Sequence, residues 1–431
     1  MDMKFIFIIL MLSKALVDAK LNFWRDFASP WKPIINYLFL NDPGLIRVRK
    51  SIEVKTEINN VTTLDFIGLV ERYNYSAEEH YVTTEDGYNL VIHRISGSPL
   101  IINNQRKKKV VFFQHGLFCS SDSWVTIGPN KDLAFLLADQ GYDIWLGNIR
   151  GNSYCRSHVK LSPRDKKFWQ FSFHELGTKD LSAMIDYVLN YTKQKTLHYV
   201  GHSMGTTALF ILLSVKPEYN AKIKLGILLA PVAMWKEVSY AVHHIRNKIP
   251  KIKEFLDSNK IYEVLPLSSK SITMGRSLCA NKAITQAFCA SLMFLIFGSD
   301  PVLLNTTAFP EILSYFPAGA SVQTLYHFYQ NFVTHKFQSY DYKYVGNYKQ
   351  YKQVTPIMYD LNKTVVPLCL FYGNNDLLAP KANVFETYRH LPNVILLKEV
   401  PYKFFNHMDF LWATNAKALL YNNVIQVINK Y

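Results

Sequence analysis

Residues 201–205 read Gly-His-Ser-Met-Gly, and they lie between an apolar segment that ends at Val200 and a helix-forming segment. In such a strand–turn–helix context, glycines on either side of the serine prevent steric clashes in a tight turn and leave the hydroxyl exposed at the edge of a sheet. A hydroxyl exposed in this way can attack the carbonyl carbon of an ester. We therefore predict that Ser203 is a nucleophile; the alternative is a serine in an ordinary turn.

Serine is a poor nucleophile until a base accepts its proton, and the base in turn needs an orienting carboxylate. In hydrolases with this turn, the order along the chain is Ser, then Asp or Glu, then His, each on a loop that follows a strand. Asp376 follows the strand-like segment 366–372, and His407 ends a loop after the segment 394–399. We predict Asp376 as the orienting acid and His407 as the base.

Other acidic and basic candidates fit this order less well. His390 lies at a predicted helix end before a strand, at the wrong edge of the sheet. Asp409 is near His407 but follows it in the chain, so we give Asp409 a structural role. The alternatives for the chosen pair are a loop-capping Asp376 and a solvent-facing His407.

The negative oxygen that forms when a serine attacks needs hydrogen-bond donors that are already in place. The backbone N–H of Met204, directly after the nucleophile, is one predicted donor. The other is the N–H of Leu117, because residues 114–117, Gln-His-Gly-Leu, end the strand-like segment 109–114 and the glycine allows the backbone to turn. The alternative is a glycine turn with no catalytic part.

The elements that must position these residues follow an alternating order. Apolar strand-like segments alternate with helical ones, which is typical of a mostly parallel sheet covered by helices on both faces. Residues 81–95 alternate as a hairpin does, with Asp86-Gly87 as its turn. From about 233 to 360 the pattern is helical and irregular, and strands resume at Val366. An insertion of that length between two core strands indicates a cap domain.

We therefore predict an α/β fold, with a mostly parallel central sheet flanked by helices and a mainly helical cap or lid inserted into it. The core spans 73–232 and 361–431, and the cap spans 233–360. Residues 20–72 form an N-terminal extension that leads into the core. With 431 residues, the chain can bury a large core.

The first residues, 1–19, have the pattern of a cleaved secretory signal peptide. Lys4 precedes the apolar run 5–12, and residues 17–19 offer a small residue at a cleavage site. Eight apolar residues are too few to span a bilayer, and the longest later apolar run, 292–297, is shorter still. We predict secretion without a transmembrane anchor; the alternative destination is the lysosome.

An exported chain meets glycosylating enzymes and an oxidising environment. Five Asn-x-Ser/Thr sequons are candidate glycosylation sites: Asn60, Asn74, Asn190, Asn305 and Asn362. The five cysteines are Cys119, Cys155, Cys279, Cys289 and Cys369. Their odd number leaves at least one of them unpaired, and spacing alone does not give the pairing.

Composition and motifs exclude several other classes of protein. The sequence has no Cys/His spacing typical of zinc and no Gly-x-x-x-x-Gly-Lys phosphate loop, so we expect no metal and no cofactor. The formal net charge of +15 comes from scattered basic residues. Basic residues can attract nucleic acid, but an exported chain with no recognisable nucleic-acid-binding module is not expected to bind it.

Together these residues resemble the acid lipase family of the α/β-hydrolase fold, and the similarity runs from about Tyr73 to the C-terminus. The blocks that carry it are Glu-Asp-Gly-Tyr at 85–88, His-Gly-Leu through Trp at 115–124, Trp-Leu-Gly-Asn-Ile-Arg-Gly-Asn at 145–152, Phe-Trp-Gln-Phe-Ser at 168–172, Pro-Ala-Gly-Ala-Ser-Val-Gln at 317–323 and Asn-His-Met-Asp-Phe at 406–410. Several independent blocks in the right order are far more specific than the serine motif alone.

The resemblance implies a lipase that hydrolyses carboxylic esters of neutral lipids, such as triacylglycerols or sterol esters, at a lipid–water interface. It implies the same triad and oxyanion donors as the motifs above. It also implies a movable lid over about 265–297, above an apolar acyl-binding trench, and a disulfide between Cys279 and Cys289.

Three features depart from the family pattern. Met204 occupies a position where many members have glutamine, and Phe297 occupies one where some members have a further cysteine. The loop 401–405 is slightly longer than usual. None of these removes a predicted catalytic group. Two other functions stay open: hydrolysis of small soluble esters, and non-catalytic lipid carriage on a hydrolase fold.

Overall fold

The computed structural model of the chain describes residues 45–49, 56–57, 60–101, 108–237, 243 and 246–431. The predicted signal peptide, 1–19, and most of the predicted extension, 20–72, lie outside the described residues. The described residues contain three β-sheets and the helices around them.

The strands of the described residues are β1 (Leu45–Val48), β2 (Thr56–Glu57), β3 (Asn60–Leu64), β4 (Ser76–Thr83), β5 (Tyr88–Gly97), β6 (Val110–Gln114), β7 (Asp143–Gly147), β8 (Ser157–His158), β9 (Leu197–His202), β10 (Ile223–Leu229), β11 (Glu263–Val264), β12 (Ala320–Ser321), β13 (Leu368–Tyr372) and β14 (Val394–Glu399). Their α-helices are α1 (Phe66–Glu71), α2 (Leu133–Ala138), α3 (Phe173–Glu175), α4 (Ser182–Thr192), α5 (Met204–Val215), α6 (Ile249–Ser258), α7 (Ser269–Leu278), α8 (Gln286–Phe297), α9 (Phe309–Ile312), α10 (Val322–Thr334), α11 (Lys343–Tyr351), α12 (Lys381–Arg389), α13 (Asp409–Trp412) and α14 (Asn422–Lys430).

In the part of the chain that the structure describes, the central sheet has nine strands, in the order β14-β13-β10-β9-β6-β7-β5-β4, with β8 paired to β5. Pairing is parallel from β14 to β7 and antiparallel for β5, β4 and β8. Parallel neighbours need crossover connections, which α5 provides between β9 and β10 and α12 provides between β13 and β14. This mostly parallel sheet with flanking helices confirms the predicted fold class.

The inner strands are buried on both faces, which explains their continuous apolar sequences. In β6, Val111 and Phe113 pack in the layer that contains α2 and α14, whereas Val110 and Phe112 pack in the layer that contains α4 and α5. Successive side chains of a strand point to opposite faces, so one apolar run contributes to both layers. The loops at the carboxyl edge of this sheet carry the predicted site residues.

The segment between β10 and β13 is mainly helical. Its described residues form helices α6 to α11 and a short antiparallel pair, β11 with β12, which the sequence pattern did not indicate. The guanidinium of Arg156, which lies before β8, binds the carboxylate of Glu263 in β11 and so connects this segment to the central sheet. The division into core and cap at residues 73, 233 and 361 stays a prediction.

Candidate active site

Ser203 lies in the turn between β9 and α5, at the carboxyl edge of the central sheet. Its backbone has φ 52° and ψ −121°, a conformation that costs a non-glycine residue about 1–3 kcal/mol and that persists only where neighbouring contacts enforce it. One such contact is the hydrogen bond from the N–H of Ser203 to the carbonyl of Leu229 (3.0 Å). Backbone strain of this kind is typical of functional turns.

The two glycines beside the serine are required by close packing. A Cβ at Gly205 would lie 2.3 Å from the carbonyl oxygen of Gln114 in β6, and a Cβ at Gly201 would lie 2.9 Å from a ring carbon of Tyr199. The packed interior has no free volume to relieve such contacts. The spacing that identifies Ser203 in the sequence is therefore a steric requirement of the sheet beside it.

His407 lies on the loop between β14 and α13. Its Nε2 is 2.8 Å from the Oγ of Ser203, which is hydrogen-bond distance. The backbone N–H of His407 donates to the carbonyl of Phe297 (3.3 Å), and its carbonyl accepts from Nε2 of His202 (3.0 Å). The structure therefore brings the predicted base to the predicted nucleophile and holds its loop at both backbone groups.

Asp376 lies on the loop after β13, with Oδ1 and Oδ2 at 3.0 and 2.8 Å from Nδ1 of His407. Because an ionised carboxylate only accepts, Nδ1 donates to Asp376 and Nε2 is left to accept from Ser203. The backbone N–H groups of Leu378 and Ala379 also donate to Oδ1, at 2.8 and 2.7 Å. The structure thus places all three predicted residues in one hydrogen-bonded chain.

The end of α8 is bound to the loops of both the predicted acid and the predicted base. Asn375 donates through Nδ2 to the carbonyl of Ser299 (2.8 Å), and Asn406 donates through Nδ2 to the carbonyl of Gly298 (3.0 Å). Gly298 has φ 114°, and a Cβ there would lie 2.0 Å from the carbonyl oxygen of Asn375. The C-terminal end of the predicted lid, 265–297, is therefore anchored next to the candidate triad.

The two predicted oxyanion donors lie close to Ser203. Met204 is the first residue of α5, so its N–H belongs to the helix turn in which N–H groups have no acceptor within the helix. Leu117 follows Gly116, where an added Cβ would lie 3.0 Å from the Cβ of Ser203. The role of these two N–H groups as oxyanion donors stays a prediction.

Two other histidines near the site are buried and neutral. Burial lowers the pKa of His115 to about 4 and lowers the pKa of His202 well below its usual value, because the imidazolium form loses its hydration. Asn152 lies 3.3 Å from Nε2 of His115, and His202 binds the His407 carbonyl as described above. We interpret both histidines as structural residues whose hydrogen bonds hold the surrounding loops in place.

Among the described residues, two apolar cavities adjoin Ser203. The larger, about 510 Å³, has His407 and residues of α7 and α8 in its wall, and we call it the His407 cavity. The other, about 400 Å³, is lined by residues of α6 and α10 that include Leu325, and we call it the Leu325 cavity. Leu117, Ser203 and Leu378 line both, so the two cavities share the candidate nucleophile.

A disulfide joins Cys279, directly after α7, to Cys289 in α8. Both cysteines line the His407 cavity. The other three cysteines, Cys119, Cys155 and Cys369, are free and buried. The disulfide implied by the family resemblance is therefore present in the structure, where it links the two helices of the predicted lid.

A second Ser–His–carboxylate set, which no sequence motif indicates, lies in the core. Nδ1 of His93 in β5 is 2.7 Å from Oγ of Ser121, and its Nε2 is 3.4 Å from Oε2 of Glu79 in β4. Asn148 Nδ2 contacts both Ser121 Oγ (3.0 Å) and His93 Nδ1 (3.3 Å). The three residues of the set come from three separate elements, so sequence spacing could not have linked them.

Asp409, for which we predict a structural role, is buried beside the His407 loop. Its Oδ2 accepts from the N–H of Asn406 (2.7 Å), and its carboxyl interacts electrostatically with the nearby carboxyl of Asp300. Burial raises the pKa of Asp409 to about 8, so the Asp409 carboxyl holds a proton at neutral pH. The two carboxyls connect the residues after α8 to the His407 loop.

The predicted sequons differ in the exposure of their asparagines. Asn74, Asn190 and Asn362 are exposed, and Asn305 is half-buried. The side chain of Asn60 lies outside the described part of the structure. Modification of any of the five by a glycan stays a prediction.

The described residues contain neither a membrane-spanning helix nor a metal-binding cluster. No helix among them is long and apolar enough to cross a bilayer. Nor are any three His, Cys, Asp or Glu side chains among them grouped so that they could hold a metal ion.

A parallel sheet with a serine on the strained turn after a central strand, followed along the chain by an aspartate loop and a histidine loop, defines an α/β-hydrolase. Sequence models of known families agree with this class. The model described as "alpha/beta hydrolase fold" matches residues 109–412, and the model described as "Partial alpha/beta-hydrolase lipase region" matches residues 66–128.

Three curated relatives narrow the class. Gastric triacylglycerol lipase of Homo sapiens is 38% identical over 369 residues, which cover 85% of this chain and 92% of the relative. Lipase 1 of Drosophila melanogaster is 39% identical over 87% of this chain and 82% of its own length, and Lipase member K of Homo sapiens is 35% identical over 86% and 92%. The chain belongs to the acid lipase family of the α/β-hydrolases. It is a carboxylic ester hydrolase of the lipase type, as the sequence predicts.

Proposed function

We propose that the protein hydrolyses carboxylic esters of neutral lipids, such as triacylglycerols or sterol esters, with Ser203 as nucleophile, His407 as base and Asp376 as orienting acid. One observation carries this proposal: the hydrogen-bonded chain of these three residues lies where two apolar cavities share Ser203. The similarity to a gastric triacylglycerol lipase, at 38% identity, supports the substrate class.

The first step is transfer of the acyl group to the serine. His407 Nε2 accepts the hydroxyl proton while Ser203 Oγ attacks the ester carbonyl carbon. The carbonyl oxygen becomes negative, and the N–H groups of Leu117 and Met204 stabilise it; one such donor contributes about 3–4 kcal/mol. His407 then gives its proton to the leaving alkoxide oxygen, the carbon–oxygen bond breaks, and a neutral alcohol departs.

The second step releases the fatty acid. A water molecule loses a proton to His407 and attacks the acyl carbon of the Ser203 ester. The same two N–H groups stabilise the second oxyanion, and His407 returns the proton to Oγ as the acyl–oxygen bond breaks. Asp376 holds the imidazole in the tautomer that both steps need and stabilises the imidazolium that forms in each.

A substrate panel tests the proposed substrate class. We expect the wild-type protein to release oleate from emulsified trioleate, because apolar cavities of about 510 and 400 Å³ suit long aliphatic groups. The panel sets this emulsion against a short soluble ester such as methyl butyrate, over a range of acidic to alkaline pH, with Ser203→Ala as the blank. Rapid hydrolysis of methyl butyrate with little oleate release would identify an esterase of small soluble esters instead.

A non-catalytic lipid carrier is the other alternative. Such a protein would bind a fluorescent fatty-acyl ester without hydrolysing it, and the wild type and Ser203→Ala would then behave alike. The intact chain of Ser203, His407 and Asp376 supports catalysis instead, because carriage has no need of an activated serine.

We also propose that the protein is secreted, with delivery to lysosomes as the alternative. The signal-like pattern of residues 1–19 and the disulfide between Cys279 and Cys289 support export. Expression in a secreting host tests this: the mature protein should appear in the medium without residues 1–19, and removal of N-glycans should lower its apparent mass. Retention of the full-length chain in the cytosol would contradict the proposal.

A further inference from the structure

A segment of three residues at the end of α8, 297–299, contacts both loops of the candidate triad, and we call it the bridge segment. The carbonyl of Phe297 accepts from the N–H of His407 (3.3 Å) and from the N–H of Leu377 (3.4 Å). Leu377 directly follows Asp376, so this single carbonyl binds the loop of the base and the loop of the acid. The two loops are therefore held by a third part of the chain in addition to their own strands.

Two asparagine side chains bind the next two carbonyls of the bridge segment. Nδ2 of Asn406 donates to the carbonyl of Gly298 (3.0 Å). Nδ2 of Asn375 donates to the carbonyl of Ser299 (2.8 Å). In the sequence, Asn375 directly precedes the predicted acid and Asn406 directly precedes the predicted base. Each of these two triad residues is thus the neighbour of an amide side chain that is bound to the bridge segment.

The asparagines pack closely against the bridge segment. Gly298 has φ 114°, and an added Cβ there would lie 2.0 Å from the carbonyl oxygen of Asn375 and 3.0 Å from the Cβ of Asn406. Asn406 is 4% exposed, and its Oδ1 accepts from the N–H groups of Met408 (2.8 Å) and Asp409 (3.1 Å). Because the amide of Asn406 is bound at both its oxygen and its nitrogen, the side chain is held against Gly298.

Ester hydrolysis at this site requires two short contacts of one imidazole at the same time. Nε2 of His407 lies 2.8 Å from Oγ of Ser203, and its Nδ1 lies 2.8 Å from Oδ2 of Asp376. The three residues lie on three different loops, so a shift of one loop lengthens at least one of these contacts. A misplacement of about 1 Å can lower a rate by about 100-fold. Hydrogen bonds that fix the loops relative to each other therefore affect the rate of the reaction.

We propose that Asn375 and Asn406 are positioning residues, which align the acid and the base by binding both loops to the bridge segment. The proposal rests on the proposed function, because it needs Asp376 and His407 as members of the triad. Neither asparagine is among the described residues that line the two cavities, so both act on the rate of the reaction and not on the binding of the ester. The bridge segment, which ends a helix of the predicted lid, then takes part in aligning the triad.

Two neighbouring asparagines on one loop provide a matched test. Asn375 also donates to the carbonyl of Phe404 (3.4 Å), and the exposed Asn374 donates to the carbonyl of Lys403 (3.4 Å). Asn375→Ala and the control Asn374→Ala therefore both lose a contact with the loop of the base, and Asn375→Ala loses the contact with the bridge segment as well. Asn406→Ala removes the other amide bound to the bridge segment. We measure kcat and KM of the wild type and of each variant on methyl butyrate.

The variants should differ in kcat and not in KM. Asn375→Ala and Asn406→Ala should each lower kcat by about 10–100-fold and leave KM within about twofold, and Asn374→Ala should leave both within about twofold. A second readout is the far-downfield ¹H NMR signal of the proton between His407 Nδ1 and Asp376, assigned by its loss in Asp376→Asn. This signal should shift or disappear in Asn375→Ala and Asn406→Ala and stay in place in Asn374→Ala. Lower stability of the fold alone would not move it.

Four results overturn the proposal: wild-type kcat in Asn375→Ala and Asn406→Ala, an equal loss in Asn374→Ala, a change confined to KM, or an unmoved NMR signal. The midpoint of thermal unfolding reports whether each variant is folded. If Asn406→Ala is not folded, Asn375→Ala decides the test alone, because Asn375 is only half-buried. A wild type that hydrolyses neither methyl butyrate nor trioleate would instead reject the proposed function itself.

Discussion

The described part of the protein contains two serine–histidine–carboxylate sets with similar partners, opposite use of the two imidazole nitrogens and very different surroundings. In the first, His407 lies 2.8 Å from Ser203 Oγ and 2.8 Å from the nearer oxygen of Asp376. In the second, His93 lies 2.7 Å from Ser121 Oγ and 3.4 Å from Glu79. Distances between these atoms alone do not separate a catalytic site from a structural network.

Access to substrate separates the two sets. Ser203 is 9% exposed and lines both apolar cavities, whereas Ser121 is 0% exposed and lines neither. The ring of His93 is stacked on that of Phe66, with 4.3 Å between centroids. An ester carbonyl can reach Ser203, but protein atoms fill the space around Ser121.

The turn geometry also differs. Ser203 has a positive φ and directly precedes α5. The first N–H groups of that helix can donate hydrogen bonds to an oxyanion. Ser121 begins a short 3₁₀ helix, and its Oγ also contacts Nδ2 of Asn148 (3.0 Å). An additional donor on Oγ competes for the lone pairs that a nucleophile would use. A catalytic serine therefore needs an open path for the substrate and hydrogen-bond donors that are already in place for the oxyanion, as well as a base.

The two sets should differ most when each serine hydroxyl is removed. We expect Ser203→Ala to lower kcat on trioleate by about 10⁶-fold, because it removes the proposed nucleophile of a triad whose members act together. Ser121→Ala should leave kcat within about threefold and cost stability of about 1–3 kcal/mol, because it unpairs buried groups. Titration of oleate release and urea unfolding of both variants measure these effects.

A loss of activity in Ser121→Ala that its stability does not explain would contradict the separation of the two sets. So would substantial activity in a correctly folded Ser203→Ala variant.

The two carboxylates give the next largest contrast. Asp376→Asn should lower kcat by about 10⁴-fold, because an amide in this place no longer selects the His407 tautomer that accepts from Ser203. Glu79→Gln removes the corresponding acceptor of His93 and should leave kcat within about threefold. Steady-state rates on one soluble ester at a single pH measure both; equal losses in the two variants would show that the Glu79 set takes part in catalysis.

Asp409, beside the first set, and Glu79, in the second, should change the stability of the fold with pH in opposite directions. Burial raises the folded pKa of Asp409 to about 8, so its stabilising contribution is full below its unfolded pKa of about 4 and declines as pH rises to about 8. The hydrogen bond from His93 lowers the folded pKa of Glu79 to about 2. The contribution of Glu79 is therefore present above about pH 4 and is lost as pH falls towards 2.

Urea unfolding midpoints of two variants, measured across this pH range, separate the contributions of Asp409 and Glu79. Asp409→Asn should flatten the decline in stability between about pH 4 and about pH 8, and Glu79→Gln should flatten only the decline in stronger acid. A variant Asp409→Asn with the wild-type pH profile would show that the buried carboxyl does not titrate as described.

Much of the fold is predictable from the sequence because the inner strands are buried on both faces. Continuous apolar runs at 110–113 and 366–372 therefore indicate strands within the predicted segments 109–114 and 366–372, and these strands are observed as Val110–Gln114 and Leu368–Tyr372. The turn at Ser203 is predictable because steric contact with Gln114 admits only glycine at 205. Both features depend on contacts that restrict the residue types at a few neighbouring positions, so they can be recognised in the sequence.

Features that depend on contacts between residues far apart in the chain cannot be recognised from a sequence pattern. Glu79, His93 and Ser121 meet only because β4 and β5 pair and the chain returns beside them after β6. The two cavities form between helices from separate parts of the 233–360 segment and the core loops, so neither periodicity nor spacing encodes their walls. Likewise, the contact between Asp300 and Asp409 spans more than a hundred residues.

Covalent labelling of the native protein shows whether Ser203, and not Ser121, is the activated nucleophile. A short-chain fluorophosphonate should form one phosphonyl ester, which peptide mass spectrometry locates on Ser203, and labelling should persist in Ser121→Ala and vanish in Ser203→Ala. Phosphonylation of Ser121, or undiminished labelling of folded Ser203→Ala, would contradict the assignment of Ser203 as the activated nucleophile.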